Sequence, residues 1–274
     1  MNLKGLWSEK LWWCRFWLLK PFRWVVLAIA IMAGVMAIAL FPMKNHSMVP
    51  LQHEATVISL LPQETAQTVL PEIADAGTWI ATGYTPVEEV APADPSNYGY
   101  RYLTDVDGNP VNNAMIVVLH ETVGSASSAI NTFQTPHTNE NAQVSYHSLI
   151  RRNGNIVHIV HPQMRAFGAG NSVFNGPNGA ETVRTHPLFP GSVNNFAYHT
   201  SLESPSDGRG NQRSHSGYTE AQYQSLAWLI AHLPVPDERI TTHKAVDRSG
   251  SRMDPRSFDS QKFFQLLHGY SRPY

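Results

Sequence analysis

One uninterrupted apolar run, residues 24–42, constrains this chain more than any other feature. It contains nineteen residues and no charge, and a helix of that length, rising about 1.5 Å per residue, nearly matches the hydrocarbon thickness of a bilayer. Basic residues precede the run, so the positive-inside rule places residues 1–23 in the cytoplasm and everything after Pro42 outside it. The sequence therefore predicts a cytoplasmic basic segment (1–23), a transmembrane signal-anchor (24–42) and an extracytoplasmic remainder.

The alternative interpretation of this run is a signal peptide that is removed. Ala37 and Ala39 form an A-x-A-like site of the kind that signal peptidase cleaves. Because the run is long for a signal peptide, we expect a retained membrane anchor with its domain in the periplasm or cell envelope, and a secreted domain if the site is cleaved. Residues 43–97 are rich in Pro, Ala and acidic residues without a sustained period, which predicts an extracytoplasmic linker that becomes partly ordered near a folded domain at 98–274.

Charge and cysteine content narrow the possible partners of that domain. A net charge of -1 and a pI near 6.9 give no reason to expect a nucleic-acid partner. Cys14 is the single cysteine, so the chain can form no internal disulfide and offers no thiolate metal site. Any metal that the domain binds must therefore be held by histidine and carboxylate side chains.

Apolar patterning predicts an α/β domain, with a mixed central β-sheet flanked by helices. The predicted strands are 114–120, 145–152, 156–160, a half-buried strand at 197–203, and 240–243, and the second and third form a hairpin through 153–155. The predicted helices are 125–134, 219–233 and 257–270. Ser125 is a candidate cap for the first helix, and Thr219 and Gln222 form a capping box for the second. The Gly- and Asn-rich section 167–195 is expected to be loop.

Three residues of this domain have the pattern of metal ligands. His243 ends the strand-like segment Ile-Thr-Thr-His, Asp254 lies on the polar loop that follows, and His120 ends the apolar strand 114–120. Two imidazoles and one carboxylate, with a fourth position left to water, form a standard ligand set for catalytic zinc. We therefore expect His120, His243 and Asp254 to converge on one Zn²⁺, although His120 alone would equally suit an ordinary core histidine. His147 and His199, within strand patterns, are predicted as packing or rim residues.

Five segments in order then carry a family resemblance: VLHET, SYHSLIRRNGNIVHIV, NNFAYHTSLE, YTEAQYQSLAWLI and TTHKAVDRSGSRMDP. They resemble the zinc-dependent N-acetylmuramoyl-L-alanine amidases, a family that includes phage lysozyme-type amidases and peptidoglycan recognition proteins. The resemblance covers residues 114–270. It implies a hydrolase that cleaves the amide between the lactyl group of N-acetylmuramic acid and the L-alanine of the peptidoglycan stem peptide.

The resemblance also implies roles for individual residues. It places the family's two histidine ligands on His120 and His243 and its acidic ligand on Asp254. Tyr146 matches a tyrosine that many members have near the metal, and Arg252 matches a basic residue that is usually lysine. Arginine keeps the positive charge that stabilises an oxyanion, but it cannot donate a proton as lysine does.

Two positions depart from the family pattern. Ser201 falls where many members have a glutamate, and Glu203, two residues further along the same strand face, is the candidate to replace it. Gly168 falls where relatives often have a histidine, so any substrate contact of that histidine must come from elsewhere. Tyr146, Arg252 and Glu203 are therefore the predicted catalytic residues.

Three functions are compatible with the sequence. The first is an anchored zinc amidase that acts on peptidoglycan outside the cytoplasm in cell-wall remodelling or recycling. The second is a non-catalytic module that recognises muropeptides, which Ser201 and Gly168 favour and the three intact ligand positions oppose. The third is a zinc amidase acting on a soluble anhydro-muropeptide, which the predicted topology disfavours.

Overall fold

The computed structural model describes residues 83–272. The predicted transmembrane segment and most of the predicted linker lie outside these residues. Within the described range, no helix combines the length and apolar character that a membrane crossing requires.

Ten short strands occur among the described residues. They are β1 (Glu88–Val90), β2 (Tyr98–Tyr100), β3 (Ile116–Glu121), β4 (Ser148–Ile150), β5 (Ile156–His158), β6 (Met164–Ala166), β7 (Phe174–Gly176), β8 (Gly179–Glu181), β9 (Ala197–Leu202) and β10 (Ile240–Thr242). Six of them form the central sheet, in the order β1-β5-β4-β9-β3-β10. Within this sheet β4 and β5 pair antiparallel, and every other neighbouring pair is parallel. The predicted mixed sheet is confirmed.

Four α-helices accompany the strands in the described range: α1 (Ala126–Gln134), α2 (Glu220–Ala231), α3 (His243–Val246) and α4 (Ser260–Leu267). Ser125 caps α1, and Thr219 and Gln222 form a complete capping box at α2, as the sequence predicts. The terminal helix is shorter than the predicted 257–270, because Asp259 accepts the N–H of Lys262 and so caps the helix there.

Helices and loops cover both faces of the central sheet. On one face α2 and α4 pack against alternate residues of the strands, and Tyr198, Leu226 and Phe263 are among the buried side chains of that core. On the other face α1 packs against Leu149 and Val157. Residues Ala197–Leu202 of β9 are consequently all buried. The prediction of a half-buried strand is wrong there, because the alternating polar side chains enter the interior instead of reaching solvent.

Two further elements are not located by the sequence patterns: one in the section predicted as loop, and one in the end of the predicted linker where partial order is expected. The section 167–195 contains the β7–β8 hairpin and is not loop throughout. Strand β1, which falls within the predicted linker, pairs with β5 at the edge of the sheet, and the Tyr84 hydroxyl lies 2.7 Å from Ser225 Oγ on α2. Strands of three residues are too short to show a period, which is why neither element is visible in the sequence.

Candidate metal centre

The candidate ligands meet at the carboxyl ends of two adjacent strands. His120 is the fifth of the six residues of β3, and His243 directly follows β10, where it begins α3. Because β3 and β10 pair in parallel, with Leu119 opposite Thr242, the two histidines lie side by side. Asp254 returns to them from the following loop, and its carbonyl accepts the N–H of Lys244 at 2.9 Å.

Distances among the three side chains are close to those expected for metal ligands. Asp254 Oδ2 lies 3.3 Å from His120 Nδ1 and 3.0 Å from His243 Nδ1. Ligand atoms about 2.0–2.2 Å from a tetrahedral ion would lie about 3.3–3.6 Å from one another, so the second distance is slightly shorter than a bound ion requires. All three residues are buried, and their ligand atoms lie within 4.8 Å of one another. The structure therefore brings together the three predicted ligands in an arrangement that can hold a metal ion.

Protonation states at this cluster also fit a metal ion. Among the described residues, His120 Nδ1 is buried and has no hydrogen-bond partner. Burial lowers the pKa of His120 to about 4, so its imidazole is neutral near pH 7. Burial alone would raise the pKa of Asp254, but the imidazoles of His120 and His243 hold it well below its usual range. A neutral imidazole and an ionised carboxylate are the forms that bind metals.

Two of the predicted catalytic residues lie near the cluster. The Tyr146 ring stacks on the His120 ring, with centroids 4.3 Å apart and an interplanar angle of 24°. Burial and the Asp254 carboxylate raise the pKa of Tyr146, and the positive charge of Arg252 opposes them. The phenol is therefore protonated at neutral pH and available as a hydrogen-bond donor. Arg252 is exposed, and its backbone N–H donates to Asp247 Oδ2 at 3.1 Å.

Glu203 and Ser201 have different surroundings. Glu203 Oε1 accepts the N–H of Ala126 at 2.8 Å, and its Oε2 accepts the N–H of Arg152 at 3.0 Å. This carboxylate therefore joins the start of α1 to the β4–β5 hairpin. Ser201 lies beside His120 in the parallel register of β9 and β3. Its Oγ is buried and has no hydrogen-bond partner in the described part of the chain.

A family model for N-acetylmuramoyl-L-alanine amidases matches residues 107–257, more than half of the chain. The chain belongs to this amidase family. The match confirms the resemblance found in the sequence, and it supports peptidoglycan amidase activity as the general class of this protein. No curated protein sequence matches the chain.

Several solved structures are similar to the amidase. A selenomethionine derivative of AmpD is 25% identical, with a TM-score of 0.46 over 68% of this chain and 97% of that chain. LysC from Clostridium intestinale is 16% identical, with a TM-score of 0.40 over 67% of this chain and 99% of the other. AmpDH3 from Pseudomonas aeruginosa, in complex with an anhydromuramic pentapeptide, is 16% identical, with a TM-score of 0.40 over 59% of this chain and 65% of that chain.

One residue near the candidate ligands of the amidase was missed in the sequence. His199, predicted as a packing or rim residue, is completely buried in β9, and its Nδ1 lies 2.9 Å from His120 Nε2. His147 is also buried, and its Nδ1 accepts the backbone N–H of His199 at 2.9 Å. Alternation along β9 was the available signal, because it places His199 on the same strand face as Ser201.

Proposed function

We propose that this amidase is zinc-dependent and hydrolyses the amide between N-acetylmuramic acid and the L-alanine of the stem peptide. The buried cluster of His120, His243 and Asp254, in which Nδ1 of His120 faces the carboxylate without a hydrogen bond, is the observation that supports the proposal. Two histidines and a carboxylate, with one position open, form a ligand set of catalytic zinc. When bound, zinc polarises the scissile carbonyl and lowers the pKa of water to about 7.

The other residues of the site have roles that follow from their chemistry. Tyr146 donates a hydrogen bond from its protonated phenol to the oxyanion that develops at the carbonyl, and Arg252 adds a fixed positive charge near it. Stacking on His120 holds the Tyr146 ring in place. Glu203 was the predicted substitute for a missing glutamate, but its two main-chain contacts support a role in holding α1 and the hairpin.

We also propose that the amidase domain is held on the extracytoplasmic side of a membrane. Residues 24–42, which lie outside the described range, support this proposal through their length and the basic flank before them. A reporter that is active only outside the cytoplasm, fused after Tyr274, should be active. If only a cytoplasmic reporter is active, the location is refuted, and a soluble anhydro-muropeptide becomes the favoured substrate.

The test of the zinc amidase proposal uses the purified full-length chain in mild detergent. Zinc content and release of free stem peptides from purified peptidoglycan are measured for the wild type and for Asp254→Ala. Asp107→Ala is the control, because this carboxylate is exposed and pairs with Arg184 on the surface. We expect about one zinc per chain and peptide release in the wild type and the control, and loss of both in Asp254→Ala.

Two results would contradict the proposal. Peptide release that persists after complete removal of metal refutes the zinc dependence. Bound zinc without any release refutes the amidase activity and favours a module that binds muropeptides without cutting them. Two observations favour this second candidate: the Glu203 carboxylate is occupied by main-chain contacts, and position 201 carries a serine in place of a carboxylate.

A further inference from the structure

The two nitrogen atoms of His120 have different surroundings. Nδ1 faces Asp254 at 3.3 Å and has no hydrogen-bond partner among the described residues, whereas Nε2 lies 2.9 Å from Nδ1 of His199. A neutral imidazole carries one hydrogen, so a ring that binds a metal through Nδ1 must carry its hydrogen on Nε2. In that state His120 donates its Nε2–H to Nδ1 of His199.

The position of His199 is set by its neighbours. It lies in the middle of β9, and its backbone N–H donates to His147 Nδ1 at 2.9 Å. The two imidazole rings are nearly parallel, at 9°, with centroids 5.9 Å apart. Because Nδ1 of His147 is an acceptor, its hydrogen lies on Nε2, which donates to the carbonyl of Met164 at 3.2 Å. These contacts hold the His199 backbone beside His120, with Nδ1 of its ring 2.9 Å from Nε2 of His120, where it can accept a hydrogen bond.

Burying His199 has a cost that a packing residue would avoid. Its Nε2 is buried with no hydrogen-bond partner in the described residues. An unsatisfied buried polar atom destabilises the fold, and an apolar side chain would fill the same volume without this cost. A functional contact through the other nitrogen, to His120, accounts for the presence of histidine at this position.

Gly168 leaves the space that the His199 ring occupies. A Cβ atom at position 168 would lie 2.6 Å from both Cγ and Nδ1 of His199. Gly168 does not have a positive φ, so its own backbone does not demand glycine. The neighbouring backbone is tied down, since Ala169 N–H donates to Asn194 Oδ1 at 2.9 Å. A side chain at 168 would therefore displace the imidazole of His199.

We propose that His199 is a positioning residue, which accepts the Nε2–H of His120 and thereby presents Nδ1 of His120 to the metal, with Gly168 keeping its space open. This inference rests on the metal site of the proposed function. Hydrogen-bond partners of metal-binding histidines orient the ring, and their loss typically weakens metal affinity by about 10–100-fold. Without His199, the Nε2–H of His120 would lie buried without an acceptor.

The experiment measures the affinity of the full-length chain for Zn²⁺ by competition with a chelator. His199→Leu removes the acceptor, and His199→Asn keeps an oxygen near the place of Nδ1. Gly168→Ala pushes the ring aside from another segment of the chain, and Gly170→Ala is its control, because a Cβ there has nothing within 4 Å. We expect His199→Leu and Gly168→Ala to bind Zn²⁺ about 10–100-fold more weakly, with Asn and Gly170→Ala close to the wild type.

The possible failures can be told apart. A wild-type chain that binds no Zn²⁺ refutes the proposed zinc site itself. If the wild type binds Zn²⁺ and His199→Leu binds it equally well, the role of His199 is overturned, while the zinc site stands. The same conclusion follows if His199→Leu and His199→Asn weaken Zn²⁺ binding equally. If the variants do not fold, ¹H–¹⁵N NMR of the zinc-loaded wild type shows which nitrogen of His120 carries the hydrogen. The proposal expects the hydrogen on Nε2, and a hydrogen on Nδ1 overturns it.

Discussion

Replacing Arg256 by methionine tests whether a buried ion pair holds the two ligand-bearing segments together. Glu121 follows His120 in β3, and Arg256 lies two residues after Asp254. Arg256 Nε donates to Glu121 Oε1 at 2.6 Å and Nη2 donates to Oε2 at 3.1 Å, with side-chain exposures of 3% and 0%. The guanidinium also donates to the carbonyl oxygens of loop residues Gly208, Gly210 and Gln212.

The expected loss of stability in Arg256→Met depends on the contacts that remain at Glu121. Methionine keeps the apolar stem but removes the guanidinium from the buried Glu121 carboxylate, which keeps only its contacts with Ser204, His215 and the backbone N–H of residue 256. Breaking a buried ion pair by removing one partner costs about 3–5 kcal/mol. For a folded unit of this size each kcal/mol lowers Tm by about 2–4 °C, so we expect a decrease of about 6–20 °C. Thermal unfolding of the full-length chain, followed by circular dichroism at pH 7, measures the shift.

A double variant separates the stranded charge from a simple loss of contacts. Glu121→Gln combined with Arg256→Met removes the buried charge, so it should be more stable than Arg256→Met alone. If the double variant is no more stable than the single one, no uncompensated charge was present, and the reasoning is refuted.

Acid provides a second check on the same pair. Burial alone would raise the pKa of Glu121, but the hydrogen bonds from Arg256 and Ser204 outweigh it and lower the pKa below its usual range. The pKa of Glu121 in the folded chain lies below the value of about 4.3 in the unfolded chain. The ionised carboxylate therefore contributes its full stabilisation above about pH 4.3 and loses it as the pH falls through the folded pKa. The stability difference between wild type and Glu121→Gln should therefore shrink below about pH 4.

Three further outcomes are expected. Thr219→Ala, which removes the cap at the start of α2, should lower the free energy of unfolding by about 1 kcal/mol in urea titrations, and no change would contradict the capping role. Gly154→Ala should lower the free energy of unfolding by about 1–3 kcal/mol more than Gly108→Ala does. Both glycines have positive φ, but only a Cβ at position 154 would meet the Tyr84 hydroxyl, at 2.8 Å, so equal losses of stability would contradict this contact. Zinc at 100 times its Kd should stabilise the wild type by about 2.7 kcal/mol in thermal scans but not His243→Ala, and equal stabilisation of both would place the ion elsewhere.

The ligand set illustrates how far residue patterns reach. His120 ends an apolar run, His243 ends the strand-like segment Ile-Thr-Thr-His, and Asp254 follows on a loop, so the sequence alone predicts their places on strands and a loop. The structure joins these residues because β3 and β10 are parallel neighbours. Glu203 shows the opposite case, because alternation predicts it on the strand face of Ser201, whereas it lies just past the end of β9 and its two main-chain partners come from distant segments.

The sequence by itself determined the local features of this protein: the cap at Ser125, the capping box at Thr219 and the β4–β5 hairpin. Each depends on residues only a few positions apart. Only the tertiary structure decided the contact of His120 with His199, 79 residues away, and the pair of Glu121 with Arg256, 135 residues away. Their partners are chosen by which strands and loops become neighbours when both faces of the sheet are covered, and no local pattern records that choice.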